Sequence, residues 1–191
     1  MNAIFVEQLM RTVFAISIAL FSFVLLATDD SGVKVVHRPG FSVIGIEVRT
    51  SNAKETTGDG VIGTQWAKFF QDDTLGKIPN KKGSNIYAVY SDYAGDRNGE
   101  YSFLIGAKVE EGSIAPPGFV LKTVPSGRYA TVTSDAGPVA KVVVAAWQRV
   151  WQMEENHTLG GARAYKTDYE VYDQRAADPQ NSQVDLYIGL K

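Results

Sequence analysis

Between Phe41 and Lys191 the chain repeatedly alternates apolar and polar positions with a period of two, which predicts half-buried strands. The segments are FSVIGIEV from Phe41, YAVY from Tyr87 to Tyr90, FLIGAK from Phe103 to Lys108, RYATVT from Arg128, YEVY from Tyr169 to Tyr172 and LYIGLK from Leu186 to Lys191. β-Branched and aromatic residues fill them, as a pleated, half-buried surface favours. Two stretches change period. In WAKFF, Trp66 falls with Phe69 and Phe70 at i, i+3 and i+4, and in WQRVW, Trp147 falls likewise with Val150 and Trp151, so each predicts an amphipathic helix. Each half of this stretch therefore reads strand, helix, strand, strand.

The halves are similar to one another. Trp66 recurs as Trp147 at an offset of 81, Tyr87 as Tyr169 at 82, and Phe103 as Leu186 at 83. Three features at nearly one spacing point to an internal duplication; the alternative is two unrelated α+β halves of similar composition. Repeat one runs over about 33–112 and repeat two over about 113–191. The joint, EEGSIAPPG from Glu110 to Gly118, excludes a helix or central strand by its charge, glycine and Pro-Pro pair. It is too short for an independent linker, and half-units of this size bury little core alone. The expected fold is α+β: one antiparallel sheet of six to eight strands with two helices on one face, and a concave second face or seam. Gly58, Gly60 and Gly63 introduce the first helix and lack the lysine of a phosphate loop. Asp135 and Gly137-Pro138 are expected to form the cap and first turn of the second.

Ahead of the repeats, Val13 to Ala27 is an uncharged apolar run, preceded by Arg11 and followed by Asp29 and Asp30. It is short for a spanning helix and within the range of a signal-peptide core, although Glu7 and Leu25 fit that reading poorly. Residues 1–32 are read as a leader: an export signal, an anchor, or an extension from an upstream start codon. Membrane contact is expected only through it.

Composition removes several functions. The 191 residues are 45% hydrophobic and carry a formal charge of −2, so a basic surface for nucleic acid is not expected. There is no cysteine, and the two histidines, His37 and His157, have no ligand spacing. Neither a metal site nor a cofactor is expected. No nucleophile motif of the GxSxG or SxxK type is present.

The candidate chemistry is acidic and aromatic. On the YEVY strand the two-residue period puts Asp168, Glu170 and Tyr172 on one face and Tyr169 and Val171 on the other. Glu170 aligns with Ala88 of the first repeat, so one copy of a duplicated strand carries a carboxylate where the other is apolar. A carboxylate buried among aromatics costs several kcal/mol unless a cation joins it. Tyr90, Tyr172, Tyr187, Trp66 and Trp147 are the candidate ring partners, each able to add ~0.5–2 kcal/mol by stacking or cation–π contact. The bland alternative is a solvated strand face for Glu170 and plain core for the tryptophans.

These features together, with the closing VDLYIGLK, resemble the GyrI-like or AraC-type effector-binding domain superfamily, and within it the stand-alone proteins of integron gene cassettes. The resemblance covers about Val33 to Lys191. It implies two pseudo-symmetric halves around a pocket and a glutamate in the penultimate strand, here Glu170, that meets cationic, lipophilic ligands. Many members carry a helix-turn-helix unit that this sequence does not show, and members of this kind are usually cytoplasmic, which the leader does not fit. Three functions are consistent with it: binding of cationic or aromatic small molecules, hydrolysis of strained electrophiles by Glu170, and binding of a protein partner.

Overall fold

The computed structural model describes residues 33–191; the leader and its apolar run lie outside the described residues. Each of the six alternating segments lies in a strand, and two short strands join them: β1 (Lys34–Arg38), β2 (Phe41–Ser51), β3 (Lys81–Ser91), β4 (Glu100–Val109), β5 (Val120–Val124), β6 (Gly127–Thr133), β7 (Thr167–Tyr172) and β8 (Asp185–Gly189). Short helices α1 (Asn52–Glu55) and α3 (Thr74–Lys77) flank α2 (Ile62–Gln71), and α4 (Val139–Glu155) belongs to the second half. Each half thus has one strand more than the sequence indicates, the short leading strands β1 and β5. The eight strands form one antiparallel sheet in the order β1-β6-β8-β7-β3-β4-β2-β5.

That order is its own mirror under exchange of the halves. β3 and β7 are the central pair, and Ala88 lies directly opposite Glu170. The two residues that the repeat equates are therefore cross-strand neighbours, and the pseudo-dyad passes between them. At the periphery the halves exchange strands: β1 pairs with β6 of the second repeat, and β5 with β2 of the first.

Both long helices lie on one face. Phe69 of α2 packs with Ile46, Ala88, Phe103 and Ile105, while Ala146, Val150 and Met153 of α4 pack with Ala130, Val132, Leu186 and Ile188. Burying a large side chain of this kind contributes ~1.5–3 kcal/mol. On the opposite face Val43, Val89, Leu104, Tyr129, Tyr169 and Tyr187 form a separate cluster without residues of either helix. There Tyr169 and Tyr187 stack at 4.6 Å, with Phe41 edge-on to Tyr169.

The Ile-Gly steps have a steric cause. Gly45 and Gly106 face each other across β2 and β4, and a Cβ on either would come within 2.0 Å of the carbonyl oxygen of Ile105 or Ile44. No side chain fits that approach.

The helix termini differ from simple capping. α2 has no side-chain cap from its own N-cap residue; instead the Glu55 carboxylate accepts from the backbone amides of Val61 (2.9 Å) and Ile62 (3.2 Å), complementing the positive end of the helix. The cap expected of Asp135 is corrected: Pro138 is the N-cap of α4, Val139 begins the helix, and Asp135 is an exposed partner of Arg149 at 3.8 Å. Proline sets φ there and gives up an amide that the helix would leave unpaired. At the other end His157 adopts φ 57° and donates its backbone amide to Glu154, and Thr158 donates to Met153, which closes the helix in a Schellman turn. No helix among the described residues is long and apolar enough to cross a membrane.

Candidate functional site

Glu170 projects from β7 toward the helices and is 1% exposed. Its carboxylate accepts three side-chain hydrogen bonds: from Trp147 Nε1 (2.6 Å) and the Tyr90 hydroxyl (2.8 Å) at Oε1, and from the Tyr172 hydroxyl (2.7 Å) at Oε2. The pseudo-dyad explains the arrangement. Tyr90 and Tyr172 are equivalent positions of the two repeats, each two residues from the dyad pair and on its face, so both hydroxyls reach one carboxylate. The tryptophans repeat the pattern: Trp147 meets Tyr90 and Trp66 meets Tyr172, each at 4.9 Å between centroids and 64° between planes. Glu170 is thus the single asymmetric member of a symmetric aromatic quartet.

Burial raises the Glu170 pKa, and the bonds from Trp147, Tyr172 and Tyr90 work in the opposite direction. The Tyr90 and Tyr172 hydroxyls are held well above their ordinary range by burial and by the Glu170 charge. Donors aimed at a buried carboxylate, with no arginine or lysine bonded to it among the described residues, make a negative site whose charge is dispersed but not neutralised.

Tyr90 and Trp147 also line a cavity of about 300 Å³. Its walls are mostly apolar, with Tyr101 from β4, Tyr93 from the loop after β3, Ile62 from α2, and Val143, Val144 and Trp151 from α4. Glu170 is one hydrogen bond behind this lining. The polar members of the wall are Asn52, Glu55, Thr56 and Arg163.

Arg163 belongs to a second buried ionic group. Its Nη2 meets Asp168 Oδ2 at 2.7 Å, with side chains 2% and 0% exposed. Asp168 also accepts from the Tyr93 hydroxyl (2.7 Å) and from the backbone amide of Gly189 (2.8 Å). Burial opposes the Arg163 charge, but Asp168 and Tyr93 more than offset it, and the guanidinium holds its proton more firmly than usual.

Five of the six candidate residues come together: Glu170, Tyr90, Tyr172, Trp66 and Trp147. Of these, Tyr90 and Trp147 line the cavity. Tyr187 lies apart on the opposite face, where it stacks on Tyr169 and accepts a hydrogen bond from Arg38 Nη2 at 2.7 Å. Its cross-strand partner in the sheet is Tyr169, which the two-residue period already separates from Glu170, so the same rule could have placed it. Sequence reasoning put Asp168 on the Glu170 face but missed Arg163, which sits in an aperiodic stretch, and the wall residues Tyr93, Tyr101 and Glu55.

Residues 34–190 match the family model of Cass2, the integron-associated effector binding protein. Among curated proteins, YobU of Bacillus subtilis (strain 168), named as a candidate transcriptional regulator, is 34% identical over 148 residues, covering 77% of this chain and 90% of its own. Among solved structures, the integron cassette protein VCH_CASS2 from the mobile metagenome of Vibrio cholerae superposes with a TM-score of 0.65 at 26% identity, covering 83% of this chain and 95% of that one. The structure of SAV2435 bound to tetraphenylphosphonium superposes with a TM-score of 0.67 at 14% identity, covering 83% and 93%.

Proposed function

The chain belongs to the Cass2 family of integron-associated effector-binding proteins, and from that premise we propose that it binds aromatic, cationic small molecules in the cavity beside Tyr90 and Trp147. The observation that carries this reading is the buried Glu170 carboxylate, which has three neutral donors and no bonded cation. A site of this kind attracts a delocalised positive charge while its rings accept many shapes, so it selects charge more than outline. The tetraphenylphosphonium held by SAV2435 is a ligand of this chemistry. Binding without turnover is the preferred reading over hydrolysis, because general-base work needs the carboxylate within reach of the attacking water, and here three protein groups occupy Glu170. The protein would act as a sensor subunit or sequestrant.

The test is a tryptophan-fluorescence titration with tetraphenylphosphonium and with tetraphenylborate, an anion of the same shape. Saturable quenching by the cation alone, with the ligand recovered chemically unchanged, is the expected result. Equal affinity for both ions would reduce the cavity to a nonspecific apolar cleft, and release of a product would move the protein to the hydrolases.

A further inference from the structure

Glu170 is not the only buried carboxylate on this face with aromatic residues close by. Asp168, two residues earlier on the same strand, is one wall of a box completed by Tyr93, Trp147, Tyr165 and Glu154, and that box is full: it holds the guanidinium of Arg163. The group centre lies 4.4 Å from the Tyr165 ring centroid, 5.4 Å from Trp147 and 5.7 Å from Tyr93, all within cation–π range. Nη2 bonds Asp168, while Nη1 stands 3.6 Å from Glu154 Oε2.

Two details distinguish this guanidinium from an ordinary buried ion pair. First, Nε and Nη1 are buried and have no hydrogen-bond partner among the described residues, and the same holds for Glu154 Oε2. Nη2 alone is hydrogen-bonded, to Asp168 Oδ2 and to the Tyr93 hydroxyl at 3.3 Å, so the rest of the guanidinium is held by charge and ring faces. Second, Arg163 is a wall of the 300 Å³ cavity and equally of a second cavity of about 560 Å³ lined by Asp96, Glu154, His157, Tyr165 and Lys191. Its side chain stands between the two spaces and shares Trp147 with the Glu170 quartet.

We infer that Asp168, Glu154, Tyr93, Trp147 and Tyr165 form a second cation-binding box, that Arg163 occupies it from within the chain, and that this internal cation restricts the neighbouring cavity to ligands with one positive centre. The charge count gives the reason. With Arg163 in place, a second positive group at that end of a ligand meets a fixed guanidinium. Without it, two carboxylates and three rings face the opening, a setting suited to the planar amidinium or guanidinium end of an extended dication. The proposal about ligand choice rests on the reading of the first cavity as a cation site; the existence of the box does not.

The experiment has two arms. Arg163→Ala removes the fragment equivalent to ethylguanidinium, and thermal unfolding of the variant is measured with millimolar ethylguanidinium or with N-ethylurea, its uncharged isostere. Recovery of a cooperative, upward-shifted transition with the cation and not with the urea is expected. No recovery, including a variant that stays unfolded with both, or equal recovery with both, overturns the box. In the second arm, wild type and variant are titrated with tetraphenylphosphonium and with pentamidine, which has a benzamidinium at each end. Pentamidine is expected to gain about tenfold more than tetraphenylphosphonium from the substitution. Parallel changes for the two ligands overturn the selectivity role. Failure of tetraphenylphosphonium to bind either protein refutes the first-cavity reading and, with it, the ligand restriction, while the ethylguanidinium arm judges the box independently.

Discussion

Replacing Glu170 with glutamine removes one buried negative charge while keeping the shape around it. Oε1 of glutamine can still accept from Trp147 Nε1 and the Tyr90 hydroxyl, and its amide nitrogen can donate to the Tyr172 hydroxyl, which turns from donor to acceptor. Three charge-assisted bonds become neutral ones, a loss that the relief of desolvation must exceed if the variant is to gain stability. The direction of the Glu170 shift says that it does: burial outweighs the three bonds, so the folded state prefers the uncharged form. For a raised carboxylate the sign is fixed. Its stabilising contribution is complete below the unfolded value and is lost as pH rises through the folded one, so the wild type carries a cost at pH 7 that the variant lacks. A higher Tm than wild type is therefore expected at pH 7, by roughly 2–4 °C for each kcal/mol gained in a chain of this length. The difference should vanish below about pH 4. A cation beside the Tyr90 and Trp147 rings would lie ~6 Å from the carboxylate, worth ~3 kcal/mol at an effective dielectric constant of about 20. Tetraphenylphosphonium affinity should therefore fall about 10- to 150-fold in the variant, while triphenylphosphine oxide, which is neutral, binds both proteins alike. Calorimetric titration of the two ligands, with melting curves from pH 4 to 8, supplies every quantity. A variant less stable than wild type at pH 7, or one that binds the cation equally well, would refute the reasoning.

Three further outcomes follow from particular contacts. Trp147→Phe removes the indole donor to a buried carboxylate and should destabilise the fold by ~1.5–3 kcal/mol, whereas Trp66→Phe, with its ring in the equivalent place but no bond to Glu170, should cost less in the same denaturant titration. Gly106→Ala places a Cβ 2.0 Å from the Ile44 carbonyl oxygen and is expected to lower Tm by several degrees or prevent folding, while Gly58→Ala, where a Cβ meets nothing, leaves it unchanged. A chain beginning at Val33 should unfold cooperatively, because among the described residues eight strands already close one sheet that is packed on two long helices; aggregation of that chain would make the leader part of the core.

The repeat made most of this fold legible. Offsets of 81 to 83 paired the tryptophans and the Tyr-X-X-Tyr strands, and the structure returns those pairs as symmetry mates, down to Ala88 facing Glu170. Local pattern failed where a strand is defined by its neighbour. β1 is five residues long and mostly exposed, and β5 is equally short, so neither offers enough alternation to read; both exist because an edge of the other repeat accepts them. Within the site, period two placed Glu170, Asp168 and Tyr172 correctly on one face, yet aromatic density alone drew in Tyr187, which alternation assigns to the other. Arg163 was invisible for a different reason. Its partners are strand, helix and loop residues brought together by packing, and the segment before β7 has no period from which to infer them.

The exchanged edge strands bear on how the chain is made. Lys34 lies opposite Thr131, so β1 leaves the ribosome long before its partner strand β6, in the second repeat, has been made. The last strand, β8, is inserted between β6 and β7 and not added at an edge. During synthesis the first repeat can close only its inner strands β2, β3 and β4, and the sheet becomes continuous when β8 arrives. Long-range pairing of this kind is slow relative to local contacts and leaves unpaired edges in the interval. A nascent first repeat therefore presents open edges of the geometry that its own second repeat will later fill, and two such chains emerging side by side on a polysome could complete each other before either completes itself.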